Sequence, residues 1–323
     1  RAEALAKRIT TESKGDTERV KAAYKLVYGR EPSAAVSTDG MTFLGEQAKR
    51  IAQAGAVAKA ATDSMPGRVG SAAAFKPAGG QTRLQVPDNS LMPQYDFTAE
   101  AFILLQSVHE GTEPRTILSR WDGRKDQPGW SLGVTGKKSA VPRSILLELI
   151  GDPAEDGAGG YEAISSGLKI ELNKPYFVAV SVRIGDTSET GVTFYLRQLS
   201  ADAEMRVAHV AHKVTSNHQS NLALVIGGRD PDKGQAWDGL IDDVRLSRLA
   251  LKPEELLLAR EGSNESTVGF WRFEEPDFFK DSSPNGHNIR PEIAPAANAD
   301  PQTAALIDFC HALLNSNGFL YVD

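Results

Sequence analysis

Apolar residues recur at helical spacing from residue 1 to about residue 60: Leu5 and Ile9, then Val20, Ala23, Tyr24 and Val27, then Phe43, Leu44, Ala48 and Ile51. Gly15-Asp16 separates the first run from the second, and Gly29-Arg30-Glu31-Pro32-Ser33 separates the second from the third. Gly29 stands where a helix ends on a left-handed residue, and Pro32 prevents continuation. The pattern predicts three helices. Near Asp63-Ser64-Met65-Pro66-Gly67 the texture changes to short alternating apolar runs bounded by Gly, Pro, Asn and Asp. These predict strands at Ser71–Phe75, Arg83–Val86, Phe97–Ser107, Thr116–Trp121, Gly129–Val134, Ser144–Ile150, Leu168–Leu172, Tyr176–Ile184, Val192–Leu199, Leu222–Ile226, Gly239–Leu246 and Val268–Phe273. So many strands, with little helical pattern between them, predict a large sandwich or barrel.

After Leu246, the run Lys252-Pro253-Glu254-Glu255-Leu256-Leu257 predicts a short helix with Pro in its first turn and two acids near its positive end. From Pro301 to about Ser316 the helical period returns, with Ala305, Leu306, Phe309, Cys310, Leu313 and Leu314 as its apolar stripe. An apolar tail, Phe319-Leu320-Tyr321-Val322, follows. Neither helical end buries much surface alone. The expected organisation is a helical segment 1–62, a β-sandwich 63–292, and a C-terminal helix within 293–323 packing on the first three.

The charge of −6 is spread along the chain without long runs, so no footprint for nucleic acid or an anionic membrane emerges. No stretch of about 18 apolar residues exists to span a membrane. The single cysteine, Cys310, excludes an internal disulfide or a thiolate cage, so a packed core must hold the fold. The chain opens on Arg1 with no charged and apolar leader, and reads as a piece of something longer.

Several segments are similar to the laminin-G-like, concanavalin A-like lectin/glucanase superfamily. Gly67-Arg68-Val69-Gly70-Ser71-Ala72-Ala73-Ala74-Phe75 resembles its opening strand, and Phe97-Thr98-Ala99-Glu100-Ala101-Phe102 the next. Thr116–Trp121 with Gly129-Trp130-Ser131-Leu132 resembles the following hairpin. Trp237-Asp238-Gly239-Leu240-Ile241-Asp242-Asp243-Val244-Arg245-Leu246-Ser247 resembles the family's most specific strand. The resemblance implies a mainly β, antiparallel jelly-roll β-sandwich that binds rather than catalyses. In the family, the segment similar to Trp271-Arg272-Phe273-Glu274-Glu275 and Asp281-Ser282-Ser283-Pro284-Asn285-Gly286 usually opens the sandwich; here it closes it, with Pro284 replacing a Gly. The flanks, Ala22–Pro32 and Leu306–Asp323, resemble the C-terminal helical domain of planctomycete-specific cytochrome c-like multi-domain proteins. That resemblance implies an extracytoplasmic parent protein with further domains upstream.

The chemistry is sparse. No acids spaced two apart line one strand face as glycan hydrolases of this fold require, and the pairs Asp242-Asp243 and Glu274-Glu275 are adjacent, so they point apart. Gly133–Ser139 departs from phosphate-loop spacing. Cys310-His311 lacks the first cysteine of a covalent haem motif, so no haem is expected and Cys310 reads as a core residue. His209, His212 and His218 have no partner at ligand spacing and read as surface histidines. Period two places Leu240, Asp242, Val244 and Leu246 on one apolar face, so Asp242 needs a partner. The resemblance implies a calcium site built from Asp242, Asp281, Ser283 and Asn285; the alternative is that Asp242 caps backbone N–H groups of that loop with no metal. Trp130 and Trp271 read as core. Trp121 and Trp237, at strand ends beside loops, are the candidate ligand-binding aromatics, with packing as the alternative. The acidic loop Gly151–Gly160 is a candidate ligand grip or a plain solvated turn. The expectation is a recognition module for a glycan or an extracellular protein. The rivals are a spacer that binds nothing and a hydrolase with acids on separate strands.

Overall fold

The computed structural model describes residues 2–57, 61–78, 81–152, 160–230, 234–290 and 300–314. The chain divides into two compact units, one from residues 1–59 and 292–323 and the other from 60–291.

The smaller unit contains α1 (Ala2–Glu12), α2 (Asp16–Tyr28), α3 (Ala34–Val57) and α4 (Pro301–Leu314). Helix α2 ends on Gly29 at φ 69°, whose N–H closes the last turn on the Lys25 carbonyl. Ala6, Ile9, Val20, Ala23, Leu44, Leu306, Phe309 and Cys310 form its buried core. Burial pushes the Cys310 thiol up to about 12, as a core cysteine requires. The apolar tail 319–322 lies outside the described residues.

The larger unit is mainly β, two antiparallel sheets face to face. The strands are β1 (Thr62–Asp63), β2 (Ala72–Phe75), β3 (Leu84–Val86), β4 (Phe97–Leu105), β5 (Arg115–Arg120), β6 (Gly129–Val134), β7 (Ser144–Ile150), β8 (Tyr161–Lys169), β9 (Pro175–Val182), β10 (Val192–Gln198), β11 (Arg206–Val210), β12 (Leu224–Ile226), β13 (Gly239–Ser247) and β14 (Thr267–Trp271). The eight-stranded sheet runs β1-β2-β13-β4-β9-β10-β11, with β14 also on β13. The six-stranded sheet runs β3-β12-β5-β6-β7-β8. Strand β13 pairs with β4 along one edge, and with β2 and then β14 along the other. The opening segment and the Trp271 segment therefore lie end to end along one side of β13, so either order along the chain fills the same place.

The two sheets face each other across one core that includes Phe97, Trp130, Leu147, Val180, Phe194, Ile241 and Trp271. The eight-stranded sheet is buried on its outer face too, where Phe102, Phe177, Tyr195, Leu240 and Phe270 pack with Leu251, Leu256 and Leu257. The helix expected after Lys252 is only a 3-10 turn, Pro253–Glu255. Its tie to the sheet is electrostatic: Arg245, 1% exposed, donates from Nε to Glu100 Oε2 (2.7 Å) and from its two terminal nitrogens to the Gly262 and Glu255 carbonyls (both 2.6 Å). Leu257 N–H donates to Glu100 Oε1 at 2.7 Å. Among the described residues, the outer face of the six-stranded sheet has no such apolar cover.

A bulge changes one expectation. Asp242 pairs with Phe102 and Arg245 with Glu100, with a register shift between them, and Asp243 takes φ 43°. The extra residue reverses the parity beyond it. Ile241, Val244 and Leu246 enter the inter-sheet core, while Asp242 shares the outer side with Leu240. Asp242 is therefore not on the inner face that uniform alternation predicts.

Candidate functional site

On β6 and β7 the alternation is clean. Trp130, Leu132, Val134, Ile145, Leu147 and Leu149 point into the core, so Ser131, Gly133, Leu146 and Glu148 take the opposite face. Register places Glu148 beside Ser131 on one side and Ala163 on the other, and Leu146 beside Ser165. Leu146, Glu148, Ala163 and Ser165 floor a cavity of about 420 Å³. Its walls include Glu113, Thr135, Ser139, Tyr161 and Gln235.

The floor is fixed by Arg229, which follows β12 through Gly227-Gly228. Its guanidinium ion-pairs with Glu148, donates to Ser131 Oγ at 3.1 Å and lies 4.5 Å from the Trp121 ring centroid. Burial holds it down at about 9, still charged at neutral pH. Tyr161 donates its hydroxyl to Glu148 Oε1 at 3.2 Å and stacks on Trp121 at 5.8 Å between centroids. The Lys125 ammonium lies 4.3 Å from the Tyr161 centroid. Tyr161 is half-buried and Trp121 only 3% exposed. Trp121, expected to face a ligand, is thus a buried support beneath Tyr161, with its Nε1–H donating to the Arg124 carbonyl at 2.7 Å.

Trp237 is not at a surface either. It is fully buried in the inter-sheet core, and its Nε1–H donates to the Leu240 carbonyl at 3.1 Å. Its position before β13 gives it room to turn inward, where an indole gains most from burial. Two of the three histidines read as surface groups are core. His212, 2% exposed, meets the Arg183 carbonyl through Nε2 at 2.9 Å. His218, fully buried, meets the Tyr95 carbonyl at 2.6 Å, and burial lowers its pKa to about 4. Most of the loop 151–160 lies outside the described residues.

The four residues expected around calcium are committed elsewhere. Asp281 Oδ1 accepts from the Phe270 and Ser283 N–H groups (2.9 and 2.8 Å), and Oδ2 from Ser283 Oγ and His287 N–H (both 2.8 Å). Asn285 turns its amide nitrogen to the Thr267 and Val268 carbonyls at 2.8 and 3.2 Å. Calcium needs six to eight oxygens free of such donors, so these residues as arranged do not fit it. Among the described residues, no group of three or more His, Cys, Asp or Glu could hold a metal ion. The loop cap foreseen for Asp242 is supplied by Asp281.

Asp242 instead sits beside Arg68, 3.5 Å from its Nε, while Arg68 ion-pairs more closely with Asp243. Burial, then the charge of Asp243, raises the Asp242 carboxyl to about 7, with Arg68 opposing. A folded pKa above the unfolded one, about 3.9, means the folded state holds the proton more tightly. This contribution to stability is complete below about pH 4 and is lost as pH rises through about 7. Asp242→Asn should therefore raise the melting temperature at pH 8 relative to the parent chain, by much more than at pH 4, where the two should nearly coincide. An equal shift at pH 4 and pH 8 would show that Asp242 does not titrate between them.

Sequence reasoning missed Tyr161, Glu148 and Arg229. One signal was present: Glu148 is a lone charge in the otherwise apolar run Ile145–Ile150.

The family model for the concanavalin A-like lectin/glucanase superfamily, in its laminin-G form, matches residues 78–257, more than half of the chain. No curated protein matches the chain. Among solved structures, it is similar to a candidate carbohydrate-binding protein of Bacteroides ovatus, with 16% identity and a TM-score of 0.44. That match covers 64% of this chain and 54% of the other, so the chain spans about half of that relative. Domain 4 of AbnA, a GH43 extracellular arabinanase of Geobacillus stearothermophilus solved with arabinotriose, matches at 18% identity and TM-score 0.37 over 60% of this chain and 78% of that one. A CBM40 module of a Ruminococcus gnavus sialidase, bound to α2,3-sialyllactose, matches at 13% identity and TM-score 0.32 over 51% and 82%. The extent of the family match, on the two-sheet architecture described above, places this chain in the concanavalin A-like lectin/glucanase superfamily.

Proposed function

We propose that this chain is a non-catalytic carbohydrate-recognition module that binds its ligand in the cavity on the outer face of the six-stranded sheet. The observation that carries the reading is Tyr161, a half-buried aromatic backed by Trp121, at a cavity also lined by Ser, Thr and Gln side chains. Its volume of about 420 Å³ lies in the range of small-ligand sites, about 300–1,000 Å³. Apolar and hydroxyl-bearing groups side by side suit the two characters of a sugar ring. Hydrolysis fits less well. Glu148 is clamped by Arg229 and by the Tyr161 hydroxyl, so it is not free to exchange a proton with a glycosidic oxygen. A spacer role leaves the cavity unexplained.

The similarity of the flanking helical sequences supports placing the module in a larger extracytoplasmic protein. Among the described residues no helix is long and apolar enough to cross a membrane.

The test is an oligosaccharide panel followed by calorimetry with Tyr161→Ala. Loss of a central tyrosine anchor should weaken binding at least about tenfold in a chain that still unfolds cooperatively. Unchanged affinity would remove this cavity as the site. No binding by the parent chain across the panel would favour the spacer.

A further inference from the structure

The charge of the cavity goes one step further, and this step rests on the carbohydrate reading. Two carboxylates, Glu113 and Glu148, line it, and among the described residues no lysine or arginine does. The cation nearest to Glu148 is Arg229, whose side chain is 4% exposed and is committed to Glu148, Ser131 and the Trp121 ring. It neutralises the floor from beneath and offers no charge to a ligand above. Glu113 is half-exposed at the rim, with His109 Nδ1 3.0 Å away. Of the cations close by, Lys137 pairs with Glu110 at 3.1 Å, and Lys125 lies outside the lining, over the Tyr161 ring.

We infer that this cavity selects uncharged oligosaccharides and discriminates against those bearing a carboxylate, such as uronates and sialates. A sugar carboxylate entering here meets Glu113, no lysine or arginine among the described lining residues receives it, and it loses hydration with little compensation. A neutral sugar meets hydroxyl, amide and phenol groups that accept and donate without a charge penalty.

The experiment is calorimetry on the intact chain with matched pairs: galacto-oligosaccharides against oligogalacturonates, and lactose against sialyllactose. For a neutral sugar that binds, the acidic counterpart should bind about tenfold or more weakly. Glu113→Gln should narrow that gap, and added salt should narrow it too. An acidic member binding as tightly as its neutral partner, or more tightly, overturns the selectivity while leaving carbohydrate recognition standing. Absence of binding by every member removes both.

Discussion

Replacing Glu100 with alanine should cost the sandwich about 3–5 kcal/mol, read from the shift of its denaturant transition. Glu100 is completely buried and accepts from two directions, Arg245 on one oxygen and the Leu257 N–H on the other. The substitution leaves a guanidinium, itself 1% exposed, without its counter-charge, and orphans a buried backbone N–H. Burial dominates the Glu100 environment and raises its pKa despite Arg245. The pair is therefore costly to bury even when intact. Accordingly, the double replacement Glu100→Met with Arg245→Met should cost far less than the single one, because it removes both charges together. A single-variant loss below about 1 kcal/mol would show that water reaches Arg245 once the carboxylate is gone. The two compact units of the chain need not unfold together, so the transition must be followed with a probe of the sandwich.

The second large effect is expected at Trp130, at the centre of the inter-sheet core. Trp130→Ala should lose about 3–5 kcal/mol through lost burial and the cavity left behind. The indole stacks on Phe97 at 4.8 Å between centroids and 25° between planes, and Phe97 in turn meets His218 edge-on at 5.1 Å. These rings belong to the strands and loop that close the core, so shrinking one loosens contacts on both sheets. Trp130→Phe should recover most of the loss because it keeps a flat ring against Phe97. If alanine costs under about 1 kcal/mol, the neighbouring side chains collapse into the space, and the core is softer than its packing implies.

Strands that alternate cleanly were legible in the sequence to the residue: Gly129–Val134 and Ser144–Ile150 form β6 and β7 with those bounds. The polar edge strands β8 and β11 were not. Strand β8 carries Glu162, Ser165, Ser166 and Gly167 around the single core residue Ile164, and only its final residues overlap the expected Leu168–Leu172. Strand β11, Arg206–Val210, has no buried residue and gave no apolar pattern. Asp242 was misplaced for another reason: a one-residue bulge flips parity, and the amino acids around it do not announce it. The candidate site was least legible. Tyr161, Glu148 and Arg229 come from β8, β7 and the segment after β12, and only folding brings them together. Trp121 was found by its chemistry and misjudged by its depth, because its cover, Tyr161, is distant in sequence.

The triple pairing of β13 also governs when this sandwich can form. Strands β2 and β4 emerge early in synthesis, yet each borders β13, which is made about half a chain later. Until then the apolar faces of Phe97–Leu105 have no partner on that edge, and β9 alone covers the other. Contacts this distant in sequence slow folding, because the chain must close a long loop before they reward it. During synthesis, the edges of β2 and β4 that pair with β13 therefore stay unpaired until residues 239–247 are made, which is the interval in which an exposed strand edge invites association with other chains.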